Sequence, residues 1–599
     1  MNERKDQVDI EPVLRLLDRH WRWVTVAAWL ILCAWFVFNR WHQILTFDLL
    51  DTDDNMRISQ VRALLHGQDW YDLRQYRLNP PFGANIHWSR LVDLPLAGLI
   101  LLFRPWVGGA EAERIAVAVA PMLPYLLLLF GVGLTARRLI HPAAFVLAFI
   151  ALVSAGSTNG MFMPTRIDHH GWQLALLSIA VAGLADPKRA RGGATLGIAT
   201  ALSLAIGLEL LIYLTLAGVA TVLFWIDDRD EKRRLAAYAV TLAGGTGLGF
   251  LIFASYANRL AVCDALSPVW WSDALLGGAL LFGLAALSPA DWKRRLALAA
   301  GAAVIIAVFH AWMWPHCLSR LEGVSPEVQR LWLSHVREAR PVYRHGWQVA
   351  TLLLALPLTG AIGWGLLAWT NRGDRGLLRR TLAAATPALA ATLLLAWQTR
   401  TAPAAQMLGV VGAIAIVWIL APLLQQIRMP VLRTAATVGV ALLGLGAIVP
   451  FAIQAVPGKT STPREIAIGR ANRLCNTMAA FKPVALQPRG MVFTFVDFGP
   501  RVITITHHDS IIGPYHRNGQ QIADVMNAFR GSEPQAHAIM AKYHSNYLLT
   551  CPNGSTTTIF MSEAPKGFYA QLEQGKVPAW LAPIKLPPKS PFKMWKVVG

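Results

Sequence analysis

Apolar runs separated by short basic loops make up most of the chain, and few folds accept that pattern. There are about thirteen such runs, most approaching the ~20 residues that cross a bilayer as a helix. In lipid the backbone must satisfy its own hydrogen bonds, so these runs are expected to be helices. The 599 residues are 54% hydrophobic and 15% charged, with mean hydropathy +0.41. That composition does not belong to a soluble domain.

The charge distribution orients the runs. Lys and Arg number 55 against 35 Asp and Glu, a net charge of +20. The excess sits in short loops: Arg137-Arg138, Lys188-Arg189 with Arg191, Arg229 with Lys232-Arg233-Arg234, and Lys293-Arg294-Arg295. Arg372 to Arg380 and Arg428 to Arg433 complete the series. Basic loops stay on the cytoplasmic side, so topology rather than nucleic acid accounts for the charge. Arg15, Arg19 and Arg22 precede the first run, Trp23 to Arg40, and place the N-terminus in the cytoplasm. The start shows no short apolar region with a small-residue cleavage site, so the first run is expected to remain as a helix. Leu91 to Phe103 is too short for a span and is expected to lie along the outer interface.

Residues 1–456 then form a membrane-embedded domain with external loops 41–113, 157–172 and 315–348. From residue 457 polar residues, Pro and Gly return, and 457–599 reads as a small external α/β domain. Pro463 to Lys482 and Gly519 to Arg530 have helical periodicity; Met491 to Thr506 and Asn546 to Thr550 are β-like. Cys475 and Cys551 both fall there, and either pair in an oxidising compartment or stand as separate thiols. No internal repeat is present, which disfavours a transporter built on paired repeats.

Two polar clusters stand at run ends that this topology puts outside. Asp168-His169-His170 lies between two apolar runs, and Asp51-Thr52-Asp53-Asp54 follows the first. Ionisable groups inside lipid are costly, so such clusters belong at a wet helix end. Carboxylates with imidazole suit a hard or borderline divalent cation, Mg2+ or Mn2+. The competing reading is a helix N-cap by Asp168 with two interfacial histidines. Arg57, Arg90 and Arg400 lie near the outer interface, where a guanidinium suits phosphate or a lipid headgroup. Glu209 is either a partner of this site or the mark of a re-entrant turn. His507-His508-Asp509 and His516-Arg517-Asn518 read as a polar rim or a further metal site.

Four places, in order, resemble the oligosaccharyltransferase catalytic subunit family of the C-type glycosyltransferase superfamily. They are Asp51 to Arg57, Asp168-His169-His170, Val336-Arg337-Glu338-Ala339-Arg340-Pro341, and Phe495-Val496-Asp497-Phe498-Gly499. The resemblance implies an inverting glycosyltransferase in a bacterial cytoplasmic membrane, its site and C-terminal domain facing the periplasm. Asp51, Asp168 and Glu338 would be catalytic, and Asp51, Asp168 and His170 would hold the metal. Asp53, Asp54, Arg57, His169, Arg400 and Asp497 would contact substrate. The donor would be a sugar or oligosaccharide on polyprenyl phosphate or pyrophosphate. The acceptor would be a protein, a glycan or a glycolipid. Two departures bear on the acceptor: Phe495 and Val496 stand where the family has tryptophans, and Arg337 replaces a small serine.

Overall fold

The computed structural model describes residues 11–319, 321–456 and 461–598. Among the described residues, seven helices are long and apolar enough to cross a membrane: Glu11–Thr46, Gly109–Leu139, Arg229–Phe253, Pro268–Leu287, Trp292–Met313, Trp347–Gly373 and Thr399–Leu424. His170–Ala185, Leu211–Asp227 and Pro430–Gly444 are shorter apolar helices. Phe145–Val153, Arg189–Ile206 and Arg375–Leu394 complete a helical bundle whose order follows the apolar runs. The fold is a polytopic α-helical membrane fold with a small C-terminal sheet, as expected.

Differences lie at element ends. The first helix continues past Arg40 to Thr46, because no breaker intervenes before Phe47, which turns to φ 52°. The Leu91 segment becomes the helix Asp93–Val107, which reverses at Gly108 (φ 81°) into Gly109–Leu139. Leu101, Leu102 and Trp106 on it are exposed.

One helix pair shows how closely the bundle packs. Trp347–Thr370 and Ala402–Leu424 cross where Gly360 meets Gly409 and Gly363 meets Gly412. A Cβ on Gly363 would collide with the Gly412 carbonyl oxygen. Small residues at one face let helix backbones approach in a membrane, where apolar burial alone gives no preference between protein and lipid.

The C-terminal unit is built on five strands: β1 Met491–Phe493, β2 Asp509–Ser510, β3 Tyr547–Thr550, β4 Leu581–Ile584 and β5 Lys593–Val597. Their order is β2-β1-β3-β5-β4, with β1 parallel to β2 and β3, and β5 antiparallel to β3 and β4. The β-like run Met491 to Thr506 is only partly strand. After Phe493 the chain makes a turn at Val496–Phe498 and then the helix Gly499–Ile505, with Pro500 in its first turn. Pro is favoured at a helix start, where its missing N–H costs nothing. Helices Pro463–Leu474, Met478–Ala485 and Gly519–Arg530 flank the sheet. Cys475 and Cys551 are joined as a disulfide, and so are Cys263 and Cys317.

The C-terminal unit seats on the helix Thr52–Leu65 that follows the first membrane helix. Ser59 Oγ and Thr504 Oγ1 lie 2.6 Å apart, and Arg62 donates to the Thr504 carbonyl at 2.6 Å while pairing with Glu113 at 2.7 Å. The helix Thr52–Leu65 is thereby held against Gly499–Ile505. Gly363→Ala is expected to part the glycine crossing and cost about 1–3 kcal/mol. Gly365→Ala, where a Cβ meets open space, is expected to leave the midpoint unchanged in thermal unfolding of the detergent-solubilised protein.

Candidate active site

Asp51 ends the turn after the first helix and caps the helix Thr52–Leu65. Its Oδ1 accepts from the Thr52 N–H at 2.6 Å, and its own N–H donates to Asp54 Oδ2 at 2.8 Å. This reciprocal cap aims Asp51 and Asp54 in one direction. Asp54 Oδ1 reaches across to accept from the N–H groups of Ile167 and Asp168, at 2.7 and 3.1 Å. The two acidic clusters, 114 residues apart from Asp54 to Asp168, therefore meet.

Arg166 joins them. Its Nη1 lies 2.7 Å from Asp51 Oδ2 and 3.5 Å from Asp54 Oδ2, and its Nη2 lies 2.7 Å from Asp168 Oδ2. Asp54 and Asp168 are buried, while the Asp51 side chain is 50% exposed. Burial raises the Asp168 carboxyl, but Arg166 and then the neighbouring histidine outweigh it and hold it well below the carboxylate range. Asp51 is lowered in the same way, burial opposing and Arg166 prevailing. At Asp53 burial, then Asp51 and Asp168, outweigh Arg166 and His170 and push its carboxyl up to about 8. One guanidinium does not compensate the acidic charge gathered here.

His169 and His170 stack, with ring centroids 4.5 Å apart. His170 Nδ1 lies 3.0 Å from Asp168 Oδ2, and its N–H donates to Asp168 Oδ1. Asp168 thus accepts from the first N–H of the helix His170–Ala185, whose N-cap position is His169, and also joins the cluster. His169 Nε2 lies 2.8 Å from Glu209 Oε1, and Gln173 donates to Glu209 Oε2 at 2.6 Å. Burial raises the Glu209 carboxyl, but His169 holds it well below the usual range. Glu209, in the turn after Arg189–Ile206, is a partner of the site.

Arg57 is 1% exposed and pairs with Asp93 at 2.8 Å, as does fully buried Arg90 at 3.1 Å. Arg57 also lies over the Trp88 ring and 3.4 Å from His169 Nδ1. It therefore reaches the surface of the site through His169. Glu338 pairs with Arg400, its Oε1 3.1 Å from Nε. Among the described residues it makes no hydrogen bond or ion pair with Asp51 or Asp168. Arg400 in turn feels the charges of Glu209 and Asp53. Asp497 stands on the other side: its carbonyl accepts from Thr52 Oγ1 at 3.4 Å, and its carboxyl from Thr556 at the same distance. Burial and then Asp51 raise the Asp497 carboxyl. Arg501, 4% exposed and acted on by Asp51 and Asp497, completes the rim. Arg166 and Arg501 lie outside the motifs, so their roles follow from packing alone.

Among the described residues, two groups bring metal-ligating atoms within 4.8 Å of one another: Cys263, His316 and Cys317, and His87, Asp264 and His516. The first contains a disulfide. In the second, Arg517 grips both Asp264 oxygens at 2.6 and 2.8 Å, so the cluster is an ion pair tying the loop between Phe253 and Pro268 to the C-terminal unit. Asp51, Asp168 and His170, the expected ligand set, are not one of these groups. Arg166 occupies one carboxylate oxygen of Asp51 and one of Asp168, and His170 Nδ1 faces that same Asp168 oxygen.

No family model matches the chain, and no curated protein matches it. Solved structures do. AglB, the oligosaccharyltransferase of Archaeoglobus fulgidus, in complex with an inhibitory peptide and a dolichol-phosphate, matches with TM-score 0.66 at 16% identity, over 96% of this chain and 74% of that one. The Archaeoglobus fulgidus enzyme tethered to an acceptor peptide with the NVT sequon gives TM-score 0.67 at 14% identity, with the same coverage. Its complex with Zn and sulfate gives 0.60 at 16%, over 95% and 72%. The chain has the fold of these archaeal oligosaccharyltransferases.

Arg166→Leu would leave buried carboxylates without their cation, at a cost of about 3–5 kcal/mol. In the wild type, the lowered carboxyls of Asp51 and Asp168 add stability above the ordinary carboxylate range, lost as pH falls. In the variant Arg166 no longer opposes burial, both carboxyls rise, and the stability they add at higher pH shrinks. The deficit in melting temperature is therefore expected to be small near pH 4 and to widen toward pH 8.

Proposed function

We propose that this chain is a glycosyltransferase. It moves a sugar or oligosaccharide from a polyprenyl phosphate or pyrophosphate donor to an acceptor at the external membrane face. The observation that carries the reading is the meeting of Asp51 and Asp168, from separate segments, at the wet end of a membrane helix. The fold shared with AglB supports it, and that enzyme's structure contains dolichol-phosphate.

The proposed reaction is an inverting displacement. An acceptor oxygen or nitrogen attacks the anomeric carbon as the bond to the donor phosphate breaks, and the lipid phosphate leaves with the electron pair. Asp51, half exposed and held ionised beside Arg166, accepts the acceptor's proton. Asp168 fixes Arg166 and His170. His169, steadied by Glu209 and Arg57, lines the donor side. Arg400 supplies a guanidinium for the phosphate, once Glu338 shares it. Asp51, Asp168 and His170 would hold a divalent cation, Mg2+ or Mn2+, whose chemistry is neutralisation of the leaving phosphate's charge. Asp53 and Asp54 complete the acidic wall.

The acceptor half favours a glycolipid or surface polysaccharide. Phe495 and Val496 are 1% and 2% exposed, and Phe495 packs on Phe529, Phe560 and Tyr569. These side chains serve the core of the C-terminal unit and do not present a surface to a sequon. The placement proposed is a cytoplasmic membrane of a bacterium, with residues 457–599 periplasmic.

Asp51→Ala and Asp168→Ala are each expected to lower transfer from a polyprenyl-linked donor by a factor of about 100 or more. Glu338→Ala is expected to lower it less, because Glu338 touches Arg400 and not the carboxylates. Full activity in both aspartate variants would contradict the assignment.

A further inference from the structure

The helix His170–Ala185 begins at the acidic site and, after sixteen residues, ends about 24 Å away. Beyond that end opens a cleft of about 580 Å³. It lies among the start of Arg189–Ile206, the start of Lys232–Phe253, the end of Leu211–Asp227 and the start of Arg375–Leu394. Seven cationic side chains line it against one carboxylate, Glu231.

Part of this charge is structural. Arg189 pairs with Asp228 and Glu231, Arg191 with Asp186, and Arg379 with Asp227 and Asp228. Buried Arg234 pairs with Glu231 and donates to the carbonyls of Gly183 and Asp186. Three cations remain. Among the described residues, no carboxylate lies within ion-pair distance of Lys188, Arg233 or Arg380. Arg380 is anchored by the carbonyls of Gly376 and Ala185, both at 3.2 Å, which hold its guanidinium at the cleft. The helix Arg189–Ile206 has no side-chain cap, so the amides of its first turn add to the positive end of its dipole there.

Topology brings these basic loops to one end of the bundle, but here they surround a single cavity and three of their cations stay unpaired at it. Their convergence makes an anion site, and a guanidinium and an ammonium at one concavity suit phosphate oxygens. Leu223 and Leu382, on two of the helices that form the cleft, are exposed apolar side chains. Basic pockets between membrane helices accept lipid headgroups.

We propose that this cleft binds a phosphate group, carried on an anionic bilayer lipid or free in solution, at a site separate from the acidic one. Lys188, Arg233 and Arg380 contact its oxygens, and the uncapped start of Arg189–Ile206 faces it.

The test uses the full-length protein, as wild type and as Lys188→Ala/Arg233→Ala, two exposed positions outside the ion pairs. In detergent, the melting temperature is followed against inorganic phosphate, with chloride at equal ionic strength as reference. In nanodiscs, phosphatidylglycerol is compared with phosphatidylcholine. A phosphate-specific rise in the wild type, whose half-saturating concentration increases about tenfold in the double variant, identifies the free anion. A rise confined to phosphatidylglycerol, and lost in the variant, identifies the lipid headgroup. The charge-preserving Lys188→Arg/Arg233→Lys is expected to restore either effect. If wild type and alanine variant respond alike in both arms, the proposal is overturned. If the alanine variant does not fold, Arg233→Ala alone is judged by the same comparison.

Discussion

A single guanidinium holds the outer end of the bundle together. Arg166 sits among Asp51, Asp54 and Asp168, and without it three carboxylates would share a largely dehydrated space. Charges taken from water need partners within a few ångströms, or their protonation changes. Arg166 supplies that partner from the residue pair preceding Asp168 itself, so the loop before His170–Ala185 can close only onto the cap of Thr52–Leu65. The site's geometry follows from this contact: Asp51 faces outward, Asp168 faces inward, and the two histidines stack beside them.

The rest of the external structure protects that arrangement. The C-terminal unit presses Gly499–Ile505 onto Thr52–Leu65 through Thr504, and Asp497 arrives beside Thr52. A second tie, Arg517 and His516 to Asp264, fastens the same unit to the loop carrying the Cys263–Cys317 disulfide. The sheet is thus remote from the carboxylates, yet its docking fixes one wall of the site.

The bundle was legible because hydropathy is a property of single segments: each apolar run folds as a helix whatever its neighbours do. The acidic clusters were legible because unpaired charge beside a span is rare. Their joint by Arg166 was not, since nothing in Thr165-Arg166-Ile167 distinguishes a bridging arginine from an interfacial one. Glu338 was read from a motif as a partner of the acidic cluster, but its contact is Arg400, a residue 62 positions later. Arg57 and Arg90 read as surface cations, whereas Asp93 draws both into the interior. Met491 to Thr506 has strand-like composition, yet Gly499-Pro500 starts a helix that docks on the membrane domain. In each case a tertiary contact decided what local pattern left open.

The central claim is that the paired aspartates receive the donor's reacting sugar. The most direct measurement is an experimental structure of the full chain with a non-transferable polyprenyl-phosphate sugar. The account predicts the phosphate within hydrogen-bond distance of Arg400 or His169, with the anomeric carbon beside the exposed Asp51 carboxylate. A donor headgroup bound elsewhere, with Arg166 and its three carboxylates closed off from it, would contradict the account.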